Sequence, residues 1–445
     1  MRIAVIGAGI SGLVAAYRLR REHDVTVFEA NDFPGGHTNT VDVDLDGEHY
    51  AIDTGFIVFN DWTYPNFIVL LDELGVRSRP TTMSFSVRDE QTGLEYNGHS
   101  FNTLFAQRRN LLRPRFYQML TDILRFNREA LWYVAECDDE VTVGQFLSRH
   151  YFSEAFARYY LLPMGAAIWS CPIGTFAQFP IRFIVDFYHN HGLLNVRRRP
   201  MWRVIEGGSR TYVEAIRRTL PNGIRLRTPI ESVRRDAGCV YVQPLDGSCE
   251  RFDHVIFACH SDQALRLLGA GATVRERELL SAFPYEQNVA VLHTDVSLLP
   301  RTIRAWASWN YRLNADDTRP ASVTYNMNIL QGIRSRHTFC VTLNSESRIS
   351  PERVLGRFEY HHPVFTTKRQ AAQARYAEVL NANRTSFCGA YWRNGFHEDG
   401  VVSALAVVDA LQRTGSEVDK VSALTRPGSA PHESTRRTPL VGVDE

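Results

Sequence analysis

Three glycines near the start of the chain have the spacing of a loop that binds phosphate groups. Gly7, Gly9 and Gly12 form a Gly-x-Gly-x-x-Gly motif, and the acidic residue Glu29 follows 22 positions after the first glycine. The first glycine permits a tight turn, the second lets the backbone approach a pyrophosphate, and the third lets a helix pack on a strand. A carboxylate at Glu29 can accept hydrogen bonds from ribose hydroxyls. The motif therefore predicts a site for an adenine dinucleotide.

The elements that must position these residues are visible around them. Residues 2–6 are an apolar run that predicts a buried parallel strand, and residues 10–22 have the apolar spacing of a helix. Residues 25–29 predict a second strand. A helix that begins near Ile10 points its N–H groups and the positive end of its dipole at the phosphates. The glycine loop thus stands in a βαβ unit, which is the context that this motif requires.

A second glycine pair distinguishes FAD from NAD. The sequence Pro34-Gly-Gly-His37 follows the second strand, and Asp53-Thr-Gly-Phe56 comes after it. These segments resemble the flavin amine oxidase and phytoene desaturase superfamily, whose members carry a Gly-Gly-Arg turn at this place. The resemblance implies that FAD is the cofactor. Here His37 replaces the arginine, and an imidazole would contact phosphate more weakly.

Later segments extend the resemblance. Residues 202–209 look like the superfamily's mid-chain glycine pair, and residues 230–233 resemble the strand whose backbone contacts adenine. Residues 388–401 resemble the closing strand, loop and helix of the superfamily. In that arrangement, a helix beginning near Gly400 points its N-terminus at the N1/O2 edge of the flavin, where it stabilises negative charge.

The resemblance implies a set of FAD contacts spread along the chain. Tyr391 and Trp392 are expected to pack on the flavin or its ribityl chain. The expected cofactor-binding residues are Gly7, Gly9, Ile10, Ser11, Gly12, Glu29, Ala30, Gly35, Gly36, His37, Thr38, Thr54, Gly55, Phe56, Ile57, Ile230, Val233, Tyr391, Trp392, Phe396, Glu398, Asp399, Gly400 and Val401. No metal site is expected, because the His361-His362 pair has no nearby carboxylate or cysteine to complete a ligand set.

One histidine is the candidate for catalysis. Aligning Gly400 with the superfamily's closing glycine puts His397 where many amine oxidases carry an aromatic cage residue. A histidine that faces the flavin could move a proton near neutral pH. The alternative is a histidine that hydrogen-bonds the loop backbone, and the sequence does not separate the two.

Several short motifs narrow the resemblance to one bacterial subgroup. They are residues 35–40, 53–60, 63–67, 105–110 and 395–400, and the likeness runs from residue 1 to about 412. Members of the subgroup are usually described as NAD/FAD-binding proteins or flavin-containing amine oxidases. They commonly accompany methyltransferases that resemble cyclopropane-fatty-acid synthase, and some are implicated in desaturating methylated acyl chains. The resemblance implies a small-molecule or lipid substrate and a methyltransferase partner.

The remaining residues help to choose between functions. No second complete Gly-x-Gly-x-x-Gly motif is present, which argues against an NADPH module and thus against a pyridine-nucleotide reductase. Many amine oxidases of the superfamily hold a water at flavin N5 with a lysine, but Lys368 stands in a sequence that predicts a solvated helix start. The favoured function is dehydrogenation of a lipid acyl chain by hydride transfer to flavin N5. The alternatives are an amine oxidase and a non-enzymatic flavin-binding partner of a lipid-modifying methyltransferase.

The composition of the chain argues against some kinds of partner and indicates the cellular compartment. A net charge of +1 gives no long-range field to recruit nucleic acid, and seven scattered cysteines without a Cys-x-x-Cys pair fit a reducing cytoplasm. No apolar run reaches the roughly eighteen residues of a transmembrane segment. Residues 108–120 mix arginines with apolar residues and could rest on anionic lipid at the inner face of the membrane, although a solvated amphipathic helix is the more common interpretation.

These features together predict an α/β fold. A Rossmann-type FAD-binding domain is accompanied by a second, α+β substrate domain that is formed by insertions and is rich in aromatic residues. The expected segments are 1–75, 200–275 and 380–415 for the FAD-binding domain, 76–199 and 276–379 for the substrate domain, and 416–445 for a disordered tail.

Overall fold

The computed structural model describes residues 1–136, 140–196, 198–313, 322–364 and 366–424, and for residues 367 and 414–424 it describes the backbone alone. The helices are α1 (Ile10–Leu19), α2 (Pro65–Leu74), α3 (Phe101–Leu104), α4 (Pro114–Ala135), α5 (Val143–Arg149), α6 (Glu154–Phe156), α7 (Leu162–Trp169), α8 (Ile173–Phe176), α9 (Ile181–Asn190), α10 (Arg210–Arg217), α11 (Ser261–Leu268), α12 (Val274–Leu280), α13 (Met327–Leu330), α14 (Thr367–Ala374) and α15 (His397–Leu424). The strands are β1 (Arg2–Ile6), β2 (Asp24–Phe28), β3 (Thr40–Leu45), β4 (Glu48–Asp53), β5 (Phe59–Asn60), β6 (Ser78–Pro80), β7 (Phe85–Asp89), β8 (Leu94–Asn97), β9 (Trp202–Ile205), β10 (Ile224–Arg225), β11 (Ile230–Arg235), β12 (Val240–Pro244), β13 (Glu250–Phe252), β14 (His254–Phe257), β15 (Tyr285–His293), β16 (Trp309–Leu313), β17 (Ser322–Asn326), β18 (Cys340–Leu343), β19 (Val354–Pro363) and β20 (Thr385–Phe387).

A five-stranded parallel sheet carries the amino-terminal βαβ unit. Its strand order is β10-β2-β1-β14-β20, and every neighbouring pair runs parallel. The central strand β1 is buried, since Ile3, Ala4 and Val5 have no exposed surface, which explains its apolar sequence. Val5 lies in register with Val27 of β2 and Ile256 of β14. The sheet therefore joins strands from the beginning, the middle and the end of the chain.

Both faces of this sheet are covered. Helices α1, α2, α10 and α15 pack on one face around Leu13, Tyr212 and Val401. The other face carries α11, α12 and the antiparallel sheet β11-β12-β13, around Val233 and Phe252. Because all five strands run parallel, their carboxyl ends lie at one edge of the sheet. Open α/β sheets bind their ligands at this edge.

A seven-stranded mixed sheet forms the second half of the molecule. Its order is β19-β15-β18-β17-β16-β7-β8; β16 and β7 run parallel, and all other neighbours run antiparallel. Helix α4 packs on this sheet through Phe116 and Met119, and α7 packs on it through Ala166 and Ala167. The sheet and its helices come from the two stretches of chain that separate the strands of the parallel sheet.

Helices α4 to α9 build an aromatic layer beside the mixed sheet. The largest buried rings of this layer are Phe126, Phe146, Phe156, Trp169, Phe176, Phe179, Phe187 and Tyr188. Between α6 and α7, residues Ala157–Leu161 adopt a π-helix, a local form that is frequent at functional sites. The layer reaches the loop before α15, because Phe396 packs on Phe187.

The carboxy-terminal helix differs in its bounds from the sequence prediction. It begins at His397, three residues before the predicted start near Gly400. The carboxylate of Asp399 accepts the backbone N–H of Phe396 at 2.8 Å, which satisfies a donor at this earlier start. The helix runs past residue 416, the predicted start of the tail, to Leu424; residues 425–445 lie outside the described residues.

Candidate functional site

The first glycine loop lies at the carboxyl edge of the parallel sheet, between β1 and α1. Gly7 has a φ of +105°, and a Cβ there would lie 2.9 Å from the carbonyl oxygen of Ala258. A Cβ at Gly12 would overlap the carbonyl oxygen of Gly7, so α1 approaches the loop more closely than a side chain allows. At Gly9, by contrast, no described atom lies within 4 Å of the Cβ position. The backbone of Gly9 is thus open to a ligand beside the positive end of α1.

The carboxylate of Glu29 lies against the same loop. Its Oε2 accepts the backbone N–H of Ala8 at 2.8 Å, and its Oε1 accepts that of Asn31 at 2.9 Å. Glu29 is buried directly after β2, whereas Ala30 is exposed. Two backbone donors hold the carboxylate at the ligand-binding edge, which suits the predicted contact with ribose hydroxyls.

The second glycine turn closes over the first. Gly35 has a φ of +123° and pairs with Gly9 in a parallel bridge. A Cβ on Gly36 would lie 3.3 Å from the Cα of Gly9. Behind this turn, the backbone N–H of Phe56 donates to the carbonyl of His37 at 2.7 Å. Three segments that are separate in sequence therefore surround one opening.

The first turns of α1 and α15 meet at this opening. The Oγ of Ser11 donates to the carbonyl of Gly400 at 3.0 Å, and the Oγ of Ser403 donates to the same carbonyl at 2.9 Å. A Cβ on Gly400 would lie 2.7 Å from the Cγ2 of Ile10, so this approach requires glycine. Since each helix carries a partial positive charge at its N-terminus, the two charges favour an anionic ligand between them.

His397, the predicted catalytic residue, is buried in an aromatic cluster. Its ring stacks on Phe56 with centroids 3.6 Å apart and meets Phe67 edge-on at 5.1 Å. Its Nε2 shares a 2.9 Å hydrogen bond with the hydroxyl of Tyr212. The Tyr212 hydroxyl also bonds the Oγ1 of Thr38 at 2.6 Å. His397 therefore ends a polar chain that ties α15 through α10 to the second glycine turn.

This environment bears on the predicted role of His397, which stays a prediction. Burial, with a smaller contribution from the nearby His37, lowers the pKa of His397 from 6.5 to about 3. The imidazole is consequently neutral at physiological pH and is poorly suited to take up a proton there. Its partner is the side chain of Tyr212, rather than the loop backbone that the alternative prediction assumed.

The side chain of Glu398, a predicted cofactor-binding residue, holds the start of α2. Its carboxylate accepts the backbone N–H groups of Asn66 at 3.0 Å and Phe67 at 2.9 Å. These two N–H groups lie in the first turn of α2, where backbone donors have no acceptor within the helix. The N-cap residue of α2, Tyr64, makes no side-chain hydrogen bond to them. Glu398 therefore caps α2, and a contact with the cofactor would have to come from its backbone.

The side chains of Phe396 and Asp399 both have partners near the loop before α15, and their predicted contacts with the cofactor stay predictions. The ring of Phe396 stacks on Phe187 of α9 at 5.0 Å. The carboxylate of Asp399 caps the start of α15 at the Phe396 N–H, and burial raises its pKa to about 6. Both side chains fix the loop that joins the parallel sheet to the aromatic layer.

Tyr391 and Trp392 lie in a hydrophobic cluster with Phe283, and their predicted packing on the flavin stays a prediction. Trp392 stacks on Tyr376 at 4.3 Å, and Tyr391 contacts Phe283 at 5.0 Å. The 3₁₀ turn Ala390–Trp392 follows β20 and directs both rings to the sheet face that α11 and α12 cover. That face lies opposite α1.

Some of the other predicted cofactor residues are buried in hydrophobic clusters, and the rest lie near the ligand-binding edge or the glycine turns. Ile57 and Val401 are buried in hydrophobic clusters, as is Val233 on β11. Ile230 begins β11, and the Thr228 N–H donates to the carbonyl of Glu29 at 2.8 Å, which brings this strand to the ligand-binding edge. The residues beside the two glycine turns are Ile10, Ser11, Gly12, Gly36, His37, Thr38, Thr54, Gly55 and Phe56.

Four histidine rings gather beside the second glycine turn, a grouping that their spacing along the chain does not reveal. The ring of His37 lies 5.2 Å from His362 and 6.3 Å from His260, and His361 lies 6.2 Å from His260. Tyr360 stacks on His37 at 5.1 Å. Burial, and then neighbouring histidines, lower the pKa of His37 and His260 to about 4 and that of His362 to about 3.

Sequence signals existed for some of the missed residues. His260 follows the carboxyl end of the parallel strand β14, a place where side chains reach the ligand of an open α/β sheet. Tyr360, which shares hydrogen bonds with Asn39 and Thr54, carries no comparable signal, because its partners come from more than 300 positions away. Among the described residues, no group of three or more His, Cys, Asp or Glu side chains is placed to hold a metal ion.

Comparison with known families agrees with this geometry. The profile of the family of flavin-containing amine oxidoreductases matches residues 10–293. The chain belongs to this family. Protoporphyrinogen oxidase 2 of Arabidopsis thaliana is 29% identical over 160 residues, which cover 34% of this chain and 30% of that protein. The 1-hydroxycarotenoid 3,4-desaturase of a Flavobacterium species is 36% identical over 101 residues, or 22% of this chain and 19% of the desaturase.

These alignments span less than a third of either relative, whereas a solved structure matches almost throughout. Cyclohexylamine oxidase from Brevibacterium oxydans has a TM-score of 0.66 at 15% identity, over 93% of this chain and 99% of that one. The predicted superfamily and fold class, a Rossmann-type domain with an α+β second domain, are thereby confirmed. The family is one of flavin-dependent oxidoreductases, and FAD is the cofactor that membership of this family indicates for the chain.

The residues at the opening fit FAD. Gly9 leaves room for a pyrophosphate beside two helix N-termini, and Glu29 stands at the end of β2 for the ribose. The Nε2 of His37 is buried and has no hydrogen-bond partner in the part of the chain that the structure describes. A buried donor or acceptor of this kind is expected where a ligand completes the site.

Proposed function

We propose that this enzyme dehydrogenates a lipid acyl chain. When bound, FAD supplies the hydride acceptor, the flavin N5. The observation that carries the proposal is the aromatic layer that meets the start of α15. Phe396, the residue before His397, stacks on Phe187 at 5.0 Å, and Phe187 lies 4.8 Å from Trp169. An apolar wall of this kind favours a hydrocarbon chain through the burial of apolar surface.

The side chains at the start of α15 support a reaction on an uncharged carbon chain. The imidazole of His397 is neutral near pH 7, because burial lowers its pKa to about 3, and its Nε2 shares a hydrogen bond with the hydroxyl of Tyr212. The chain's role is then to orient the substrate and to exclude water, while the two helix N-termini stabilise negative charge on the cofactor. Lys368 is exposed near the start of α14.

One observation favours the alternative function, an amine oxidase. A cavity of about 260 Å³ between α9 and α14 is lined by Phe187 and also by Asp186. Asp186 is the acidic side chain of this lining, which also contains Arg182 and Arg369, and a carboxylate can pair with a substrate ammonium group. Asp186 is therefore the residue whose substitution distinguishes the two functions.

The test is reduction of the FAD-loaded enzyme without oxygen, followed as loss of the oxidised-flavin absorbance. A phospholipid with a methyl-branched acyl chain should reduce the flavin, whereas cyclohexylamine should not. Both Lys368→Met and Asp186→Asn should keep the rate with lipid. Reduction by the amine alone, abolished in Asp186→Asn, would replace the proposal with amine oxidation. If neither compound reduces the flavin and a lipid-modifying methyltransferase binds stably, the protein is its non-enzymatic partner.

A further inference from the structure

We propose that one corner of the substrate half docks on an anionic lipid bilayer. This docking corner consists of residues 101–117, which span α3, the 3₁₀ turn Arg108–Leu112 and the start of α4, together with residues 301–304. The inference deepens the proposed function, since it names the surface on which a lipid substrate is met. It rests on exposed side chains and on charge.

The docking corner exposes large apolar side chains from two distant parts of the chain. Leu112 is 87% exposed, Phe101 is 75% exposed and Ile303 is 73% exposed. The 3₁₀ turn Ile303–Ala305 lies against α3, so Ile303 and Phe101 belong to the same surface. These side chains stand out from the protein, so a deformable apolar medium would surround them more completely than a rigid partner without matching pockets.

The corner is also strongly basic, although the whole chain is nearly neutral. Residues 101–121 contain four arginines and no acidic residue, while the net charge of the chain is +1. Arg301 and Arg304 add two exposed guanidinium groups beside α3. The acidic side chain held against this turn, Glu95, is buried and accepts the N–H groups of Arg301 and Thr302. The exposed charge of the corner is therefore positive.

The position of these arginines argues against a purely local structural role. Arg113 and Arg115 flank the N-terminus of α4, whose first turn has no acidic residue. Cations at this end oppose the helix dipole and destabilise the helix slightly. Guanidinium groups form bidentate hydrogen bonds with phosphates, so a lipid headgroup offsets that cost.

The exposed apolar surface continues along α4. Tyr117, Leu124 and Leu131 are all exposed, and their seven-residue spacing places them on one face, since seven residues make nearly two helical turns. The opposite face packs on the mixed sheet through Phe116 and Met119. No helix in the described part of the chain could cross a bilayer, so contact by this face would be interfacial.

The test is sedimentation of the FAD-loaded, full-length protein with phosphatidylglycerol or phosphatidylcholine vesicles that carry no branched acyl chain. Binding should require phosphatidylglycerol and weaken with salt. Leu112→Glu and Ile303→Glu should each lower the partition coefficient by about tenfold or more. Arg115→Gln and Arg304→Gln should each lower it about fivefold. Val274→Glu, at an 80% exposed valine on α12, is the matched control and should bind like the wild type.

The proposal fails if the wild type binds neither vesicle, or if Leu112→Glu binds as well as the wild type. Loss of a dimer in Leu112→Glu, measured by sedimentation equilibrium without lipid, would instead assign the corner to contact between copies. Thermal unfolding of each variant shows whether it is folded. Because the vesicles contain no substrate, a negative result here is distinct from failure of the flavin-reduction test.

Discussion

The Oγ of Ser11 donates a 3.0 Å hydrogen bond to the carbonyl of Gly400, although the two residues are 389 positions apart. This bond joins the first turns of α1 and α15, whose positive ends both lie at the glycine turns. The two ends of the described chain therefore complete one site. Residues that hold this junction should affect stability and FAD binding together.

Gly400→Ala tests the junction directly. The new methyl group would lie 2.7 Å from the Cγ2 of Ile10 and 3.0 Å from the Oγ of Ser11, so the two helices must separate. We expect a loss of about 1–3 kcal/mol in the free energy of unfolding, together with weaker FAD binding. Thermal unfolding with and without FAD measures both effects. Gly271→Ala, where no described atom lies within 4 Å of the new methyl group, should unfold like the wild type.

Gly9→Ala separates cofactor binding from folding. No described atom lies within 4 Å of the new methyl group, so the FAD-free protein should lose less than about 1 kcal/mol of stability. FAD should dissociate at least about tenfold more readily, which corresponds to about 1.4 kcal/mol, because the methyl group occupies the approach of the pyrophosphate. Titration calorimetry at a temperature below unfolding gives the dissociation constant. Unchanged FAD affinity would contradict this placement of the cofactor.

Glu398→Ala tests whether this carboxylate caps α2 instead of contacting FAD. The variant leaves the N–H groups of Asn66 and Phe67 without their acceptor. We expect the FAD-free protein to lose about 2 kcal/mol of stability, the upper end for a helix cap, whereas FAD affinity of the folded protein should change little. Glu398→Gln, which keeps one acceptor oxygen, should recover part of the loss. A large change in affinity with unchanged stability would support the original cofactor prediction.

His397→Asn should reduce the acid sensitivity of folding. The unfolded state takes up a proton as pH falls through 6.5, whereas the folded state does so only near pH 3, so His397 loses its stabilising contribution in that window. Between pH 7.5 and 5.5 this loss is about 1.4 kcal/mol, and it should be absent from the variant. Burial raises the pKa values of Asp53 and Asp399 to about 6. Protonation of these two acids therefore increases the free energy of unfolding as pH falls below 6, which is opposite to the effect of His397. Since both acids remain in each protein, urea unfolding at the two pH values isolates the histidine.

His49→Asn provides a control of opposite sign for the same experiment. The side chain of His49 is exposed, and its hydrogen bond to Asp44 raises its pKa, so its contribution is lost as pH rises. An equal change of pH dependence in both variants would contradict the assignment to the buried ring of His397.

Much of the fold could be predicted because it depends on local chemistry. The apolar run of β1 and the glycines at positions 7, 9 and 12 constrain backbone conformation and close approach wherever they occur. The resemblance of the 388–401 segment then indicated that the carboxy-terminal helix returns to the same loop. The helix begins at His397, three residues before the predicted start near Gly400. The capping contact of Asp399 at this earlier start depends on the geometry of the loop, which the sequence does not show.

The candidate site could be predicted as a location but not as a set of side-chain roles. Tyr391 and Trp392 were expected at the cofactor, yet a 3₁₀ turn sends both rings into the core on the opposite sheet face. Glu398 was expected there too, yet it caps α2. Such partners depend on which helices lie within a few ångströms after folding, and spacing along the chain does not carry that information.

The sequence by itself determined that this chain binds an adenine dinucleotide, because a glycine loop between a strand and a helix specifies its own geometry. Only the tertiary structure decided that His397 is neutral, since its pKa depends on burial and on the nearby His37, which comes from the start of the chain. It also gathered His37, His260, His361 and His362 beside the second glycine turn, and placed the 3₁₀ turn that carries Ile303 against α3 on the docking corner. The neutral state of His397, the group of four histidines and the docking corner have the same physical reason. Desolvation and contact between distant segments exist only in the packed chain.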